Sequence, residues 1–433
     1  MVAWNTDNGR VAIIASARTP LTRAGAALRA MRVPDLARAV MQETLHRAGW
    51  SGGRLDEVYL GNVCMPADAA NPARVAAIQA GIPQHVPALT VQRNCASGLE
   101  AIFQGASRIF SGQARFILAA GAESMSNIPL LFPRETSGPM AQMAKAKTLT
   151  QKLAVATKMR PRNFVPISAL LQGLTDPLCN MIMGKTAEVL SHEFSVTRDQ
   201  QDAFALQSHQ RAAQAISAGQ FDGQITPIYT GQRFEPVTQD IGPRQDQTFD
   251  ALAKLRPIFD RRDGSVTVGN SCQITDGAAC ILLVDGSVAG AEGLEPLGYI
   301  RACATAALEP QRMGLGPVYA IDRVLQMTGL SLDDIGLFEI NEAFAAQVLA
   351  CRKAIASDRF CQLNLGHDSC GDIDDERLNV SGGAIALGHP VGATGARIVL
   401  QLLDDMRRRN VQFGIASLCV AGGQGAAILV ERR

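Results

Sequence analysis

Short apolar runs alternate with stretches of helical periodicity along most of this chain, in two successive series, and this restricts it to an α/β architecture with helices covering a sheet. The first series predicts strands at residues 11–16, 56–63 and 114–120, a strand end running into Asn94, and helices at 34–48, 74–81 and 99–110. Alternation is lost from residue 126 to about 250, where helices are expected at 181–195 and 197–218, the second capped by Thr197. Strands at 265–270 and 278–284 follow, and a Gly- and Ala-rich stretch at 285–296 marks a boundary. The second series predicts strands at 298–306, 335–340, 414–418 and 426–431, with helices at 317–328, 342–356 and 397–409. The expected result is a mostly parallel, doubly wound sheet in two similar halves, residues 9–285 and 293–433, with a loop domain inserted in the first at about 126–250.

A chain of 433 residues exceeds what one core usually supports, in keeping with two domains. Hydrophobic residues are 47% of the total and aromatics only 5%, so the cores must be packed from Ala, Val, Leu and Ile. With 41 basic and 40 acidic residues, nothing global points to nucleic acid. No apolar run reaches the ~20 residues that span a bilayer. The polar start, Met1 to Asn8, does not read as a signal peptide, so a cytoplasmic location is expected. There the ten scattered cysteines should be reduced rather than paired. Residues 136–175 lack Asp and Glu but hold Lys145, Lys147, Lys152, Lys158, Arg160 and Arg162. That composition suits ligand phosphates, a partner or an anionic membrane surface, and equally a solvated helix face.

Four corners of the pattern carry chemistry. Cys95 lies where a strand turns into a helix, and the unpaired N–H groups and positive dipole end of a helix start favour a thiolate there. Asn341 follows strand 335–340 and opens the next helix. His389 sits in residues 381–395, a loop with five glycines where a packed core role is hard to accommodate. Cys419 ends strand 414–418 and precedes Val420-Ala421-Gly422-Gly423-Gln424-Gly425, a hairpin with exposed backbone N–H groups. Reactive groups in wound sheets gather at the carboxyl ends of strands. A pseudo-twofold relation between the halves would bring these corners together.

Asn94-Cys95-Ala96-Ser97-Gly98, Gly269-Asn270, Asn341-Glu342-Ala343-Phe344, Gly388-His389-Pro390 with Gly392-Ala393-Thr394-Gly395, and Cys419 with its glycines resemble, in the same order, the signature blocks of the thiolases. The resemblance covers residues 11–431. It implies two βαβαβ-type halves in a five-layered αβαβα core with an inserted loop domain. Within the family the basic excursion, the extra segment 357–376 and the ending at 419–425 are most similar to the β-subunits of fatty-acid oxidation trifunctional complexes, although Asn341 stands where that subgroup often has His. The resemblance further implies acyl-CoA and coenzyme A as substrates without a permanently bound cofactor, and a homodimer or tetramer. The subgroup adds a hydratase/dehydrogenase α-subunit or a peripheral membrane contact.

The implied reaction cleaves a 3-oxoacyl-CoA between its α and β carbons, as in fatty-acid β-oxidation. Cys95 would attack the ketone and hold the acyl group, His389 would take its proton, and Cys419 would protonate the departing enolate. His389 with a water held by Asn341 would form one oxyanion site. The backbone N–H groups of Cys95 and Ala421, a position usually glycine in the family, would form the other. Glu342 is expected to fix the helix start or neighbouring hydrogen bonds, and Ser271 or Cys272, with Phe344, to meet the CoA. The same residues run in reverse would condense two acetyl-CoA molecules, the biosynthetic alternative. A decarboxylating ketoacyl synthase lacks a second thiol such as Cys419, and a non-catalytic relative would leave Cys95 unacylated. Cys351, Cys361, His367 and Cys370 cluster in the second-half insertion, but their spacings fit no zinc pattern and no metal site is expected.

Overall fold

The computed structural model describes residues 11–231 and 234–433; the polar start at 1–8, with the expectation that it is not a signal peptide, lies outside them. The first series forms β1 (Val11–Arg18), α1 (Val33–Arg47), β2 (Glu57–Gly61), α2 (Pro72–Gln79), β3 (Ala88–Val91), α3 (Ser97–Phe110) and β4 (Phe116–Ser124). The excursion includes α4 (Met183–Glu193) and α5 (Arg198–Ser217) and ends in β5 (Thr275–Asp285). The second series forms β6 (Gly298–Ala307), α6 (Gly316–Thr328), β7 (Leu337–Ile340), α7 (Ala345–Ile355), α8 (Thr394–Arg409), β8 (Phe413–Val420) and β9 (Gln424–Glu431).

The apolar runs become strands covered on both faces, which is why they read as continuous rather than alternating. On β5, Ala278, Cys280, Leu282 and Val284 pack with α1 and α2, while Ala279, Ile281 and Leu283 pack with α3 and α8. A third core joins α6 and α7 to the far side of β6, β8 and β9. Three cores between five layers give the α-β-α-β-α stack, with α3 and α8 as its middle. All strands named here belong to one ten-stranded sheet, ordered β7-β8-β9-β6-β1-β5-β4-β2-β3, with Thr22–Arg23 paired to β5. In this sheet the halves meet edge to edge where Val11–Ile13 faces Gly298–Ile300.

The mostly parallel sheet expected from the alternation is not what forms. Among these pairs β7–β8, β2–β3 and β2–β4 are parallel, whereas β8–β9–β6–β1–β5–β4 is antiparallel throughout. β8 and β9 are joined by a tight turn, with Gly422 and Gly423 at φ 87° and 74°, and a connection that short can only reverse the chain. β5 returns after the long excursion, which leaves its direction free.

The predicted strand at 265–270 is a loop. Its backbone N–H groups at Ser265 and Val266 go to the Glu188 carboxylate rather than to a ladder, and Val268 is exposed. The excursion is tied back to β1 by Arg18 and Asp240, a fully buried pair with two contacts of 2.8 Å. Thr197 caps α5 as expected, accepting from Gln200 N at 3.3 Å while Gln200 reaches back to Thr197 N at 3.0 Å. The six cations of residues 145–162 are all exposed, two of them, Lys145 and Lys152, on the helices Arg134–Lys145 and Leu149–Ala156. No helix among the described residues is long and apolar enough to cross a membrane.

The two middle helices touch at their first turns through glycine. A Cβ on Gly98 would lie 2.8 Å from the Gly392 carbonyl oxygen, and one on Gly395 would lie 2.1 Å from Leu99 N. Gly395→Ala is therefore expected to destabilise the protein by ~1–3 kcal/mol or more, because backbone rather than a flexible side chain must move. Urea unfolding checks this, and an unchanged midpoint would show that the helices do not meet as described.

Candidate active site

The contact between α3 and α8 brings the residues before them together. β3 ends at Val91, and Asn94 turns the chain in the left-handed region at φ 43°. Ser97 Oγ accepts from Arg93 N at 2.9 Å and donates to the Asn94 carbonyl at 2.6 Å, which closes the turn around Cys95. Asn94 Nδ2 donates to the Ala421 carbonyl at 2.9 Å and so joins this corner to the turn after β8. The backbone N–H groups of Ala421 and of Cys95 itself both face the sulfur.

The expected thiolate at Cys95 is corrected. The residue is half-buried, and burial pushes its thiol up to about 11 against the lowering by those two N–H groups. The first helical residue is Ser97, with Ala96 as cap, so Cys95 precedes the turn where a helix dipole acts most strongly. Cys95 rests as a thiol.

Cys419 lies at the end of β8 opposite Gly425 and is buried. Burial, then the neighbouring Cys95, Cys351 and Cys272, hold its thiol well above the ordinary range. Cys272 is pushed up to about 12, by burial and then by Cys95. The sulfurs of Cys95, Cys272 and Cys419 thus share one locus. Cys272 N donates to the Ala343 carbonyl at 3.0 Å, and Ser271 bridges to Phe344. Ser271 Oγ donates to the Thr267 carbonyl at 2.6 Å, so of this pair Cys272 is the one at the thiol locus. Phe344 packs with Cys419, Met183 and Met313, its ring edge-on to Phe259 at 6.0 Å.

Asn341 does not open a helix as expected: residues 341–344 lie outside any helix, and α7 starts at Ala345. Its N–H continues the β7–β8 pairing to the Ser417 carbonyl at 2.9 Å, two residues before Cys419. Both side-chain atoms of Asn341 are buried without a protein partner. Leaving such a group unpaired costs about 1–3 kcal/mol, a cost that a bound carbonyl or water removes.

His389 N donates to the Gln273 carbonyl at 3.3 Å, one residue from Cys272. Its ring Nδ1 lies 2.6 Å from Thr394 Oγ1, whose own proton goes to the Pro390 carbonyl at 3.0 Å. The proton on the imidazole must therefore be on Nδ1, and Nε2 is a buried lone pair with no protein partner. Burial, with the charge of Arg397, lowers this histidine to about 3, so it is neutral at any working pH.

Two acids hold the frame. Glu342 accepts from Ser208 Oγ at 2.7 Å, Asn379 Nδ2 at 2.9 Å and Ile385 N at 3.1 Å, binding the Asn341 segment to α5 and to the His389 loop. Glu123, at the carboxyl end of β4, accepts from Val63 N at 2.9 Å, Asn62 Nδ2 at 2.9 Å and Gly392 N at 3.1 Å, and burial raises it to about 7. Sequence reasoning missed Glu123 and Thr394. An acid closing an otherwise apolar strand was the available signal for the first. Among the described residues, the side chains that converge closely enough to hold a metal ion, Asp322, His367 and Cys370, are not here but on and beside α6.

Buried neutral histidines make stability depend on pH. His209 accepts Arg244 N at Nδ1 at 3.1 Å, and burial followed by Arg244 lowers it to about 4. Below the unfolded value of roughly 6.5 the unfolded chain takes up protons that folded His209 and His389 refuse. Stability is therefore complete above that value and falls as pH drops toward 4, at up to about 1.4 kcal/mol per pH unit for each histidine. Urea midpoints at several pH values test this, with His209→Gln expected to flatten the slope and an equally steep variant counting against it.

Residues 11–287 match the family description "Thiolase, N-terminal domain" and residues 294–432 match "Thiolase, C-terminal domain". The chain is 38% identical over 424 residues to a 3-ketoacyl-CoA thiolase of Yersinia enterocolitica, covering 98% of this chain and 97% of that one. It is 42% identical over 425 residues to an acetyl-CoA acetyltransferase of Pseudomonas aeruginosa, covering 98% and 99%. The crystal structure of human mitochondrial 3-ketoacyl-CoA thiolase in complex with CoA matches with a TM-score of 0.84 at 32% identity, over 99% of this chain and 100% of that one. Both family halves are matched in order over nearly the whole length, and the chain belongs to the thiolase family of acyltransferases.

Proposed function

We propose that this thiolase cleaves 3-oxoacyl-CoA with coenzyme A, giving acetyl-CoA and an acyl-CoA shortened by two carbons. The observation that carries the reading is the shared locus of Cys95, Cys419 and Cys272, with the His389 backbone bonded to Gln273 next to Cys272, and with His389 Nε2 and both polar side-chain atoms of Asn341 buried and unpartnered. His389 Nε2 takes the Cys95 proton as the sulfur attacks the ketone carbon. The oxyanion forms against the backbone N–H groups of Cys95 and Ala421. The bond between Cα and Cβ then breaks, its electron pair passes to the acetyl-CoA enolate, and Cys419 supplies the proton. The enolate oxygen lies against protonated Nε2 and a water on Asn341. Coenzyme A next gives its thiol proton to the Cys419 thiolate and attacks the acyl-Cys95 thioester, and Cys95 leaves as the thiolate, regains its proton from His389 and frees the shortened acyl-CoA.

Cys419 rests protonated, the form that cleavage uses. Cys272 and Phe344 border the sulfurs and would meet the pantetheine arm. In this reading residues 9–285 and 293–433 are the two halves, each giving corners to one site, and 126–250 is the insertion over it. Assays of CoA-dependent cleavage across acyl lengths test it: activity on longer 3-oxoacyl-CoA is expected, and activity confined to acetoacetyl-CoA would support the biosynthetic role instead.

A further inference from the structure

The segment between α7 and α8 folds back onto α6 through a group of unlike side chains. Asp322 on α6, with His367 and Cys370 on the loop after the helix Asp358–Asn364, bring a carboxylate oxygen, a ring nitrogen and a sulfur within 4.8 Å of one another. Two of the three are oriented from behind. His367 Nδ1 lies 2.6 Å from the Asp368 carbonyl oxygen, which can only accept, so Nδ1 carries the ring proton. Gln326 Nε2 donates to Asp322 Oδ2 at 3.0 Å, leaving Oδ1 for the cluster. Nε2 and Oδ1 then face each other at 2.7 Å, a separation at which they can share a proton as an ion pair or, opened slightly, hold a cation between them. A histidine whose other nitrogen donates to a backbone carbonyl has the orientation that metal-bound histidines adopt.

We propose that Asp322, His367 and Cys370 form a site for a divalent cation of the zinc type, held by Oδ1, Nε2 and the Cys370 thiolate, that fastens this insertion to the outer helix. Imidazole and thiolate donors select such an ion over magnesium or calcium, which take oxygen. Binding releases the Cys370 proton to solvent. Bonds of about 2.0 Å in a tetrahedral set place nitrogen and oxygen roughly 3.3 Å apart, so Nε2 and Oδ1 need separate by only about half an ångström. Cys361 lies beside the site with its sulfur toward the Ala354 and Ile355 carbonyls at 3.5 Å, and the fourth position falls to water. Spacing along the chain hid this site, because Asp322 is 45 positions before His367.

The test uses full-length protein freed of metal by a chelator and titrated with Zn²⁺ against a chromophoric competitor, and with Co²⁺ read by its thiolate charge-transfer absorption. Wild type and Cys95→Ser are both expected to bind one ion per chain and to melt at higher temperature with zinc. Cys370→Ser, His367→Gln and Asp322→Asn should each weaken binding at least about tenfold, and Cys370→Ser should abolish the cobalt–thiolate band. Circular dichroism of the metal-free variants shows whether they fold, and Asp322→Asn, which keeps the size of the side chain, guards against loss by misfolding. No zinc binding by wild type, binding untouched in all three variants, or binding lost with Cys95→Ser would each overturn the proposal.

Discussion

Replacing Cys95 by alanine is expected to abolish turnover, by a factor on the order of 10⁴ to 10⁶, because it removes the atom that carries the acyl group between the two half-reactions. The fold around it should stand. The corner is held by Ser97 and by Asn94 reaching Ala421, none of which needs the sulfur. Cys272 shares the locus but has its backbone tied to Ala343 and its thiol pushed up to about 12, so it is not expected to substitute. Thiolysis rates with matched unfolding curves check this. A variant that keeps even a hundredth of the activity would move the nucleophile elsewhere.

Cys419→Ala is expected to separate the chemical steps. Cys95 and His389 remain, so acetyl transfer from acetyl-CoA to Cys95 should survive, while exchange of the acetyl-CoA methyl protons with deuterated water should fall by roughly 10²- to 10⁴-fold. Overall cleavage should fall with the exchange. Nuclear magnetic resonance of the methyl group, beside burst measurement of acylation, reads both. Equal loss of acylation and exchange would mean that Cys419 supports the site structurally instead of moving a proton.

Much of this could be read from residues. Apolar runs became strands because both faces are covered, the Cys95 corner stood out as a strand turning into a helix, and the corners at His389 and Cys419 stood out by their glycines. Strand direction was not readable, since the pattern of β5 is the same whichever way the chain returns. Residues 265–270 carry a strand-like alternation, yet Glu188, far away in sequence, takes the N–H groups a ladder would use. The protonation of Cys95 was misread from local features: a helix start suggests a charged sulfur, whereas burial by the surrounding layers dominates. Thr394, which fixes the imidazole tautomer, and Glu123, which holds Gly392, act through contacts that one-dimensional spacing does not reveal.

Everything here depends on an acyl group resting on one particular sulfur. Wild-type protein mixed with a 3-oxoacyl-CoA in the absence of free CoA, quenched in acid and digested, can be mapped by mass spectrometry. The account predicts the shortened acyl group on the peptide containing Cys95 and on no other. Acyl label on Cys272 or Cys419 with Cys95 bare, or acetyl-CoA released with no acylated peptide, would contradict it.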